Sequence, residues 1–122
     1  MSALFQERRW RSRDGLSHYA RDYEAADAAA RLPVICLHGL TRNSKDFEDI
    51  APIIAGWGRR VIVPDVRGRG QSDRDPDPRN YHPKIYARDV VEMMAELGID
   101  RAVFLGTSMG GIITMTMMAM RP

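Results

Sequence analysis

Three short apolar runs punctuate the chain: Val34-Ile35-Cys36-Leu37, Arg60-Val61-Ile62-Val63 and Ala102-Val103-Phe104-Leu105. They are continuous rather than alternating, which marks strands covered on both faces. Between them the spacing becomes helical. Phe47, Ile50, Ala51 and Ile54 form the buried side of a short helix with Ser44 as expected N-cap and Asp46, Glu48 and Asp49 near its positive end. Pro52 precludes a regular helix starting much before Asp49, so an irregular turn leads into it, and Gly56-Trp57-Gly58 closes it. Pro83 suits the first turn of a second helix, with His82 just outside and Gly98 at its end. Its core face is Tyr86, Val90, Met94 and Leu97, with Ala87 and Val91 alongside. The apolar run 112–120 predicts a third helix, buried and packed by the five methionines between Met109 and Met120.

Ahead of these units, 5–13 and 16–23 predict a hairpin around a two-residue Asp14-Gly15 turn. Arg9, Arg11 and Arg13 alternate along its first strand and share a solvated face, and His18 is structural or exposed. Residues 24–31 read as a surface connection. Strands alternating with helices predict an α/β domain, a parallel sheet with helices on both faces. It is one partial domain over 1–122: hairpin and connection over 5–31, then β/α units over 32–122.

Composition narrows the function classes. The 122 residues are 44% hydrophobic and 28% charged with a net charge of +2, an ordinary globular balance for one core. The arginines are scattered among as many acids, so no basic stripe points to nucleic acid. Cys36 sits inside a buried strand as a small hydrophobe. The first residues lack the layout of a signal peptide, and the longest apolar stretch is too short to span a bilayer. The expectation is a cytoplasmic protein with no membrane partner.

The chemistry concentrates at Gly106-Thr107-Ser108-Met109-Gly110, between an apolar strand and an apolar helix. Gly-x-Ser-x-Gly in that context is the nucleophile elbow of a serine hydrolase. A serine at the tip of so tight a turn is strained, with φ positive. Gly106 and Gly110 lie where strand and helix pass so closely that a Cβ would clash. The helix that follows aims free N–H groups at developing negative charge.

A second cluster, His38-Gly39-Leu40, ends the first buried strand, the edge at which open α/β sheets bind ligands. Gly39 lets the backbone approach a substrate. The Leu40 N–H, with that of Met109, forms a two-donor oxyanion hole. His38 reads as an oriented structural histidine rather than a base, because in this architecture the base follows the serine. Gly68-x-Gly70 mimics a dinucleotide fingerprint but lacks the third glycine and the helix, and reads instead as a structured turn. His18, His38, His82 and Cys36 share no metal-ligand spacing, so no metal and no cofactor are expected.

Leu37-His38-Gly39-Leu40, Pro64-Asp65-x-Arg67-Gly68-x-Gly70-x-Ser72-Asp73, Leu97-Gly98-Ile99-Asp100 and Gly106-Thr107-Ser108-Met109-Gly110-Gly111, in that order, resemble the α/β-hydrolase superfamily. The likeness is greatest to its esterase, ring-cleavage and perhydrolase branches. The resemblance implies the N-terminal part of that fold, with later strands and lid absent. It implies Ser108 as nucleophile, Leu40 and Met109 as oxyanion donors, and a small-molecule acyl substrate cleaved through an acyl-enzyme. Branches acting on epoxides or carbon–halogen bonds carry aspartate at the elbow, where this chain has Ser108. Members place the triad acid and histidine after the serine, and neither residue type follows Ser108 here. The 122-residue chain is therefore expected to be an N-terminal fragment with negligible turnover. The alternative is a non-catalytic assembly half-domain that pairs with itself or a partner chain through the hydrophobic sheet edge at 102–105.

Overall fold

The three apolar runs all form strands of a mixed sheet, two of them inside it and the third at its edge. The computed structural model describes residues 5–27 and 31–120. The strands are β1 (Gln6–Arg11), β2 (Ser17–Tyr23), β3 (Val34–Leu37), β4 (Val61–Asp65) and β5 (Val103–Gly106), in the spatial order β1-β2-β4-β3-β5. β4, β3 and β5 are mutually parallel, and the antiparallel hairpin β1–β2 extends the sheet alongside β4. The connection predicted over 24–31 lies partly, at 28–30, outside the described residues, as do positions 1–4 and 121–122.

Successive side chains of a strand point to opposite faces, and here both faces are covered. Ile35, Leu37 and Ile62 pack beneath α2 (Pro83–Glu96) and α3 (Met109–Met120). Val34, Cys36, Val61 and Val63 pack with α1 (Ile50–Gly56) on the other side. That two-sided burial is why the β3 and β4 runs are continuously apolar; the third run departs from the expectation, because β5 is the sheet edge and leaves Val103 and Leu105 exposed. Among the described residues no helix is long and apolar enough to cross a membrane.

Several local expectations are corrected. The hairpin loop is five residues, not two: Ser12 N–H donates to Leu16 O at 3.0 Å and Gly15 N–H to Ser12 O at 2.8 Å. Asp14 is drawn out of a tight turn by Arg67, whose Nη1 donates to Asp14 Oδ2 at 2.6 Å. Arg13 leaves the strand face with it and pairs with Glu92 and Asp89 on α2, so the solvated row is Arg9 and Arg11. Of the two expectations for His18 the structural one holds: it is buried, stacked on Trp10, with Nε2 3.0 Å from Ser12 Oγ.

Asn43, not Ser44, caps the 3-10 turn Ser44–Phe47, its side-chain oxygen accepting Lys45 N–H at 2.9 Å, while Ser44 lies buried inside the turn with its N–H donated to Asp65 Oδ1 at 2.7 Å. α1 then starts at Ile50, behind Asp49, as Pro52 requires. His82 caps α2, whose deepest side chain is Met93, with Met94 and Leu97 at the core margin. α3 is not a buried helix. Ile113 and Met117 face the core, while Met115 and Met118 are 63% and 72% exposed.

Candidate active site

Parallel pairing of β3 and β5 brings the two motifs of the sequence together. Leu37 is in register with Gly106, so both strands end at the same level and His38-Gly39 lies beside Thr107-Ser108. Thr107 N–H donates to Leu37 O at 3.0 Å, extending the ladder into the turn. The chain then reverses within two residues. Ser108 has φ +54°, and it is the one residue other than glycine with positive φ among those described. Its carbonyl immediately accepts Gly111 N–H at 2.9 Å and Ile112 N–H at 3.3 Å, opening α3.

The flanking glycines are sterically required. A Cβ on Gly106 would lie 2.5 Å from Gly110 C and O, and one on Gly110 would overlap the Leu37 carbonyl. Strand, turn and helix are in backbone contact, and the Ser108 side chain is left exposed at the tip. A Cβ on Gly39 would stand 3.7 Å from Ser108 Cβ, so the β3 end borders the serine directly. Among the described residues neither the Leu40 nor the Met109 N–H has a protein acceptor, and Ser108 Oγ makes no hydrogen bond. Leu40 is exposed and Met109 buried. Serine hydroxyl, two unused N–H groups and a helix N-terminus thus share one end of the sheet. Such a set can accept an attacked carbonyl whose oxygen becomes negative.

No histidine serves that hydroxyl. His38 is fully buried, its Nδ1 2.8 Å from Gly39 O and its Nε2 2.9 Å from Val66 N. Burial pushes its pKa below the usual histidine value, against the pull of the Gly39 carbonyl and Asp65. His18 is locked under Trp10, and His82 caps α2 by accepting Lys84 N–H. Among the described residues no group of His, Cys, Asp and Glu is placed to hold a metal.

The glycine loop after β4 is a folded turn with no open phosphate cradle. A Cβ on Gly70 would strike the Asp65 carboxylate, and one on Gly68 would lie 2.6 Å from the Tyr81 ring. Asp65 Oδ2 accepts Gln71 N–H at 2.9 Å while its backbone carbonyl accepts Ser72 Oγ at 2.6 Å. Asp65, which thereby ties this loop to the Ser44 turn, was missed as an organiser. A lone acid between a strand and a glycine turn was its visible signal. A concavity of about 850 Å³ between α2, α3 and β5 lies elsewhere. Asp100, Arg101 and Ala102 line it at the N-terminal end of β5, opposite to Ser108, so it is a packing groove and not part of this site.

Residues 33–122 match the alpha/beta hydrolase fold family. The chain is similar to the 3-hydroxybutyrate-oligomer hydrolase of Cupriavidus necator, 39% identical over 98 residues, which are 80% of this chain and 33% of that protein. It is 31% identical over 91 residues to bifunctional epoxide hydrolase 2 of Sus scrofa, covering 74% of this chain and 16% of that one. In structure it resembles an alpha/beta hydrolase from Novosphingobium aromaticivorans, with TM-score 0.91 and 47% identity, over 100% of this chain and 42% of that one. The chain spans a third or less of the length of these two curated relatives.

Proposed function

The chain belongs to the α/β-hydrolase family, and from that premise we propose that it carries the nucleophile half of a serine hydrolase for a carboxylic ester, lactone or related acyl compound. The observation that carries the reading is Ser108 at φ +54°, next to Met109 and beside the end of β3, where among the described residues the Met109 and Leu40 N–H groups have no protein acceptor. Ser108 Oγ attacks the acyl carbon, the carbonyl π electrons move to oxygen, and the two N–H groups bind the oxyanion. The hydroxyl proton passes to a general base and on to the leaving alcohol as the carbon–oxygen bond breaks. Water then releases the acid from Ser108.

None of the three histidines is free to be that base, so the 122-residue polypeptide by itself has negligible turnover. The similarity to an oligomer hydrolase favours an acyl substrate, since oligomers of a hydroxy acid can be esters. The serine, in place of an acid, disfavours epoxide opening. Leu40 and Met109 act through their backbone; Gly39, Gly106 and Gly110 shape the site. A small-molecule substrate, a cytoplasmic location and the absence of nucleic-acid or membrane partners complete the proposal.

The test is hydrolysis of a p-nitrophenyl ester by the pure chain and by Ser108→Ala. Both are expected at background; efficient turnover lost in Ser108→Ala would place the base within these residues. Should a longer form of the protein supply the base, a phosphonate ester that labels it at Ser108 supports the nucleophile assignment, and labelling elsewhere removes it.

A second reading, assembly through β5, is favoured by one observation. β5 ends the sheet with Val103 44% and Leu105 39% exposed, whereas the β1 edge carries Arg9 and Arg11. Concentration-dependent association in sedimentation, abolished by Leu105→Lys, supports it, and a monomer at all concentrations removes it.

A further inference from the structure

One buried histidine beside Ser108 commits both ring nitrogens to backbone. Val66 N–H donates to His38 Nε2 at 2.9 Å, so Nε2 is bare and Nδ1 carries the proton. Nδ1–H then donates to the Gly39 carbonyl at 2.8 Å, and that carbonyl also accepts Arg42 N–H at 3.2 Å. The Gly39–Leu40 peptide is trans, so its C=O and N–H point in opposite directions. A carbonyl held by two donors fixes where the unpaired Leu40 N–H points. One peptide further on, Arg69 Nε donates to Leu40 O at 2.9 Å, its guanidinium lying 5.2 Å over the Tyr86 ring.

We propose that His38, as its neutral Nδ1–H tautomer, is a positioning residue that holds the Gly39–Leu40 peptide with its N–H turned to the space over Ser108. The inference rests on reading Leu40 N–H as an oxyanion donor. His38 moves no proton in the reaction; it transmits the β4 backbone, through Val66, to a peptide at the end of β3. Protonation replaces the Nε2 acceptor with a second N–H facing Val66 N–H, and the ring gives up this hold. The charged groups acting on the ring are Asp65, Arg69 and Asp46, and burial outweighs them in keeping it neutral.

Nuclear magnetic resonance of the labelled 122-residue chain tests this without catalysis. The ring spectrum near neutral pH is expected to show the Nδ1–H tautomer, and the Nε2–H tautomer overturns the proposal. In His38→Gln, whose side-chain carbonyl can accept Val66 N–H but whose amide does not reproduce Nδ1–H, the Leu40 N–H dipolar coupling is expected to change while those of Val34 to Leu37 hold. In His38→Asn, whose amide N–H stands near the Nδ1–H position, the coupling is expected to return toward the original. An unchanged Leu40 coupling in a folded His38→Gln overturns the proposal. Should that variant not fold, the native tautomer and a pH titration decide: the Leu40 amide shift must follow the His38 ring. None of these readouts uses Ser108 reactivity. A failed phosphonate label at Ser108 in a base-bearing form would remove the serine reading and leave this peptide geometry standing, and the converse also holds.

Discussion

Arg67 and Asp89 meet side by side in the interior, Nε to Oδ2 at 2.9 Å and Nη2 to Oδ1 at 2.7 Å. The Arg67 side chain has no exposed surface, and Asp14 and Asp75 bond its Nη1 at 2.6 and 2.7 Å. Burial works against its charge, but the hydrogen bonds it donates to Asp89, Asp14 and Asp75 outweigh that and raise its pKa. The loop after β4, the hairpin turn and α2 are thereby tied to one cation.

Removing a partner of a buried pair leaves an uncompensated charge. Asp89→Ala is expected to destabilise the fold by about 3–5 kcal/mol, read as a lower urea midpoint. Asp14 is 34% exposed, so water screens its loss. Asp14→Ala is expected to cost about 1 kcal/mol or less. Equal effects would show that the three carboxylates share Arg67 without rank.

Stability should fall on mild acidification. Burial lowers the pKa of both His18 and His38 below 6.5, so just below that pH the unfolded chain binds protons that the folded chain does not. Protons then favour unfolding, and each histidine removes up to about 1.4 kcal/mol per pH unit until its folded pKa is reached. Asp14 adds a later stage. Its hydrogen bond from Arg67 holds its pKa below 3.8, so its contribution is present above that value and lost beneath it. Urea midpoints measured from neutral pH downward check the sign; a flat profile between about pH 7 and 5 contradicts it.

Leu37 and Gly106 illustrate what the sequence could disclose. Continuous apolar runs announced β3 and β5, and two glycines flanking a serine announced the steric contact between strand and helix. Asp14 illustrates the reverse. Asp-Gly is a local signal for a tight turn, and a cation more than fifty positions away overrode it. Asp89 and Met93 were hidden for a related reason. The buried arc of α2 was set by where Arg67 and β3 lie, and spacing alone put its centre one residue late. Met115 and Met118 read as buried because α3 is apolar all round, while among the described elements only one side of it is packed.

Cys36 should be inert in the native chain. It is fully buried in β3, and burial pushes its thiol up to about 12, so almost no thiolate exists at neutral pH. A chromogenic disulfide reagent is expected to label it stoichiometrically in urea and, without urea, at the rate of unfolding. Prompt labelling in buffer would mean that β3 opens locally, which would also free Gly39 and Leu40 from their register beside Ser108.

The sharpest steric contrast lies between two neighbouring glycines of the elbow. A Cβ on Gly110 would overlap the Leu37 carbonyl, which already accepts Thr107 N–H, whereas one on Gly111 meets Gly106 O, its nearest neighbour outside the helix, at 3.9 Å. Backbone cannot move aside as a flexible side chain can, so Gly110→Ala must separate β3 from α3 or break the Thr107 bond. It is expected to destabilise by about 3 kcal/mol or more, the upper range for overpacked sites. Gly111→Ala, at ordinary contact distance in a helix, is expected to be neutral or stabilising by up to about 1 kcal/mol. Urea unfolding of the pair checks the order. If the two alanines behaved alike, the close passage of strand and helix that lifts Ser108 beside Gly39 would not exist in solution.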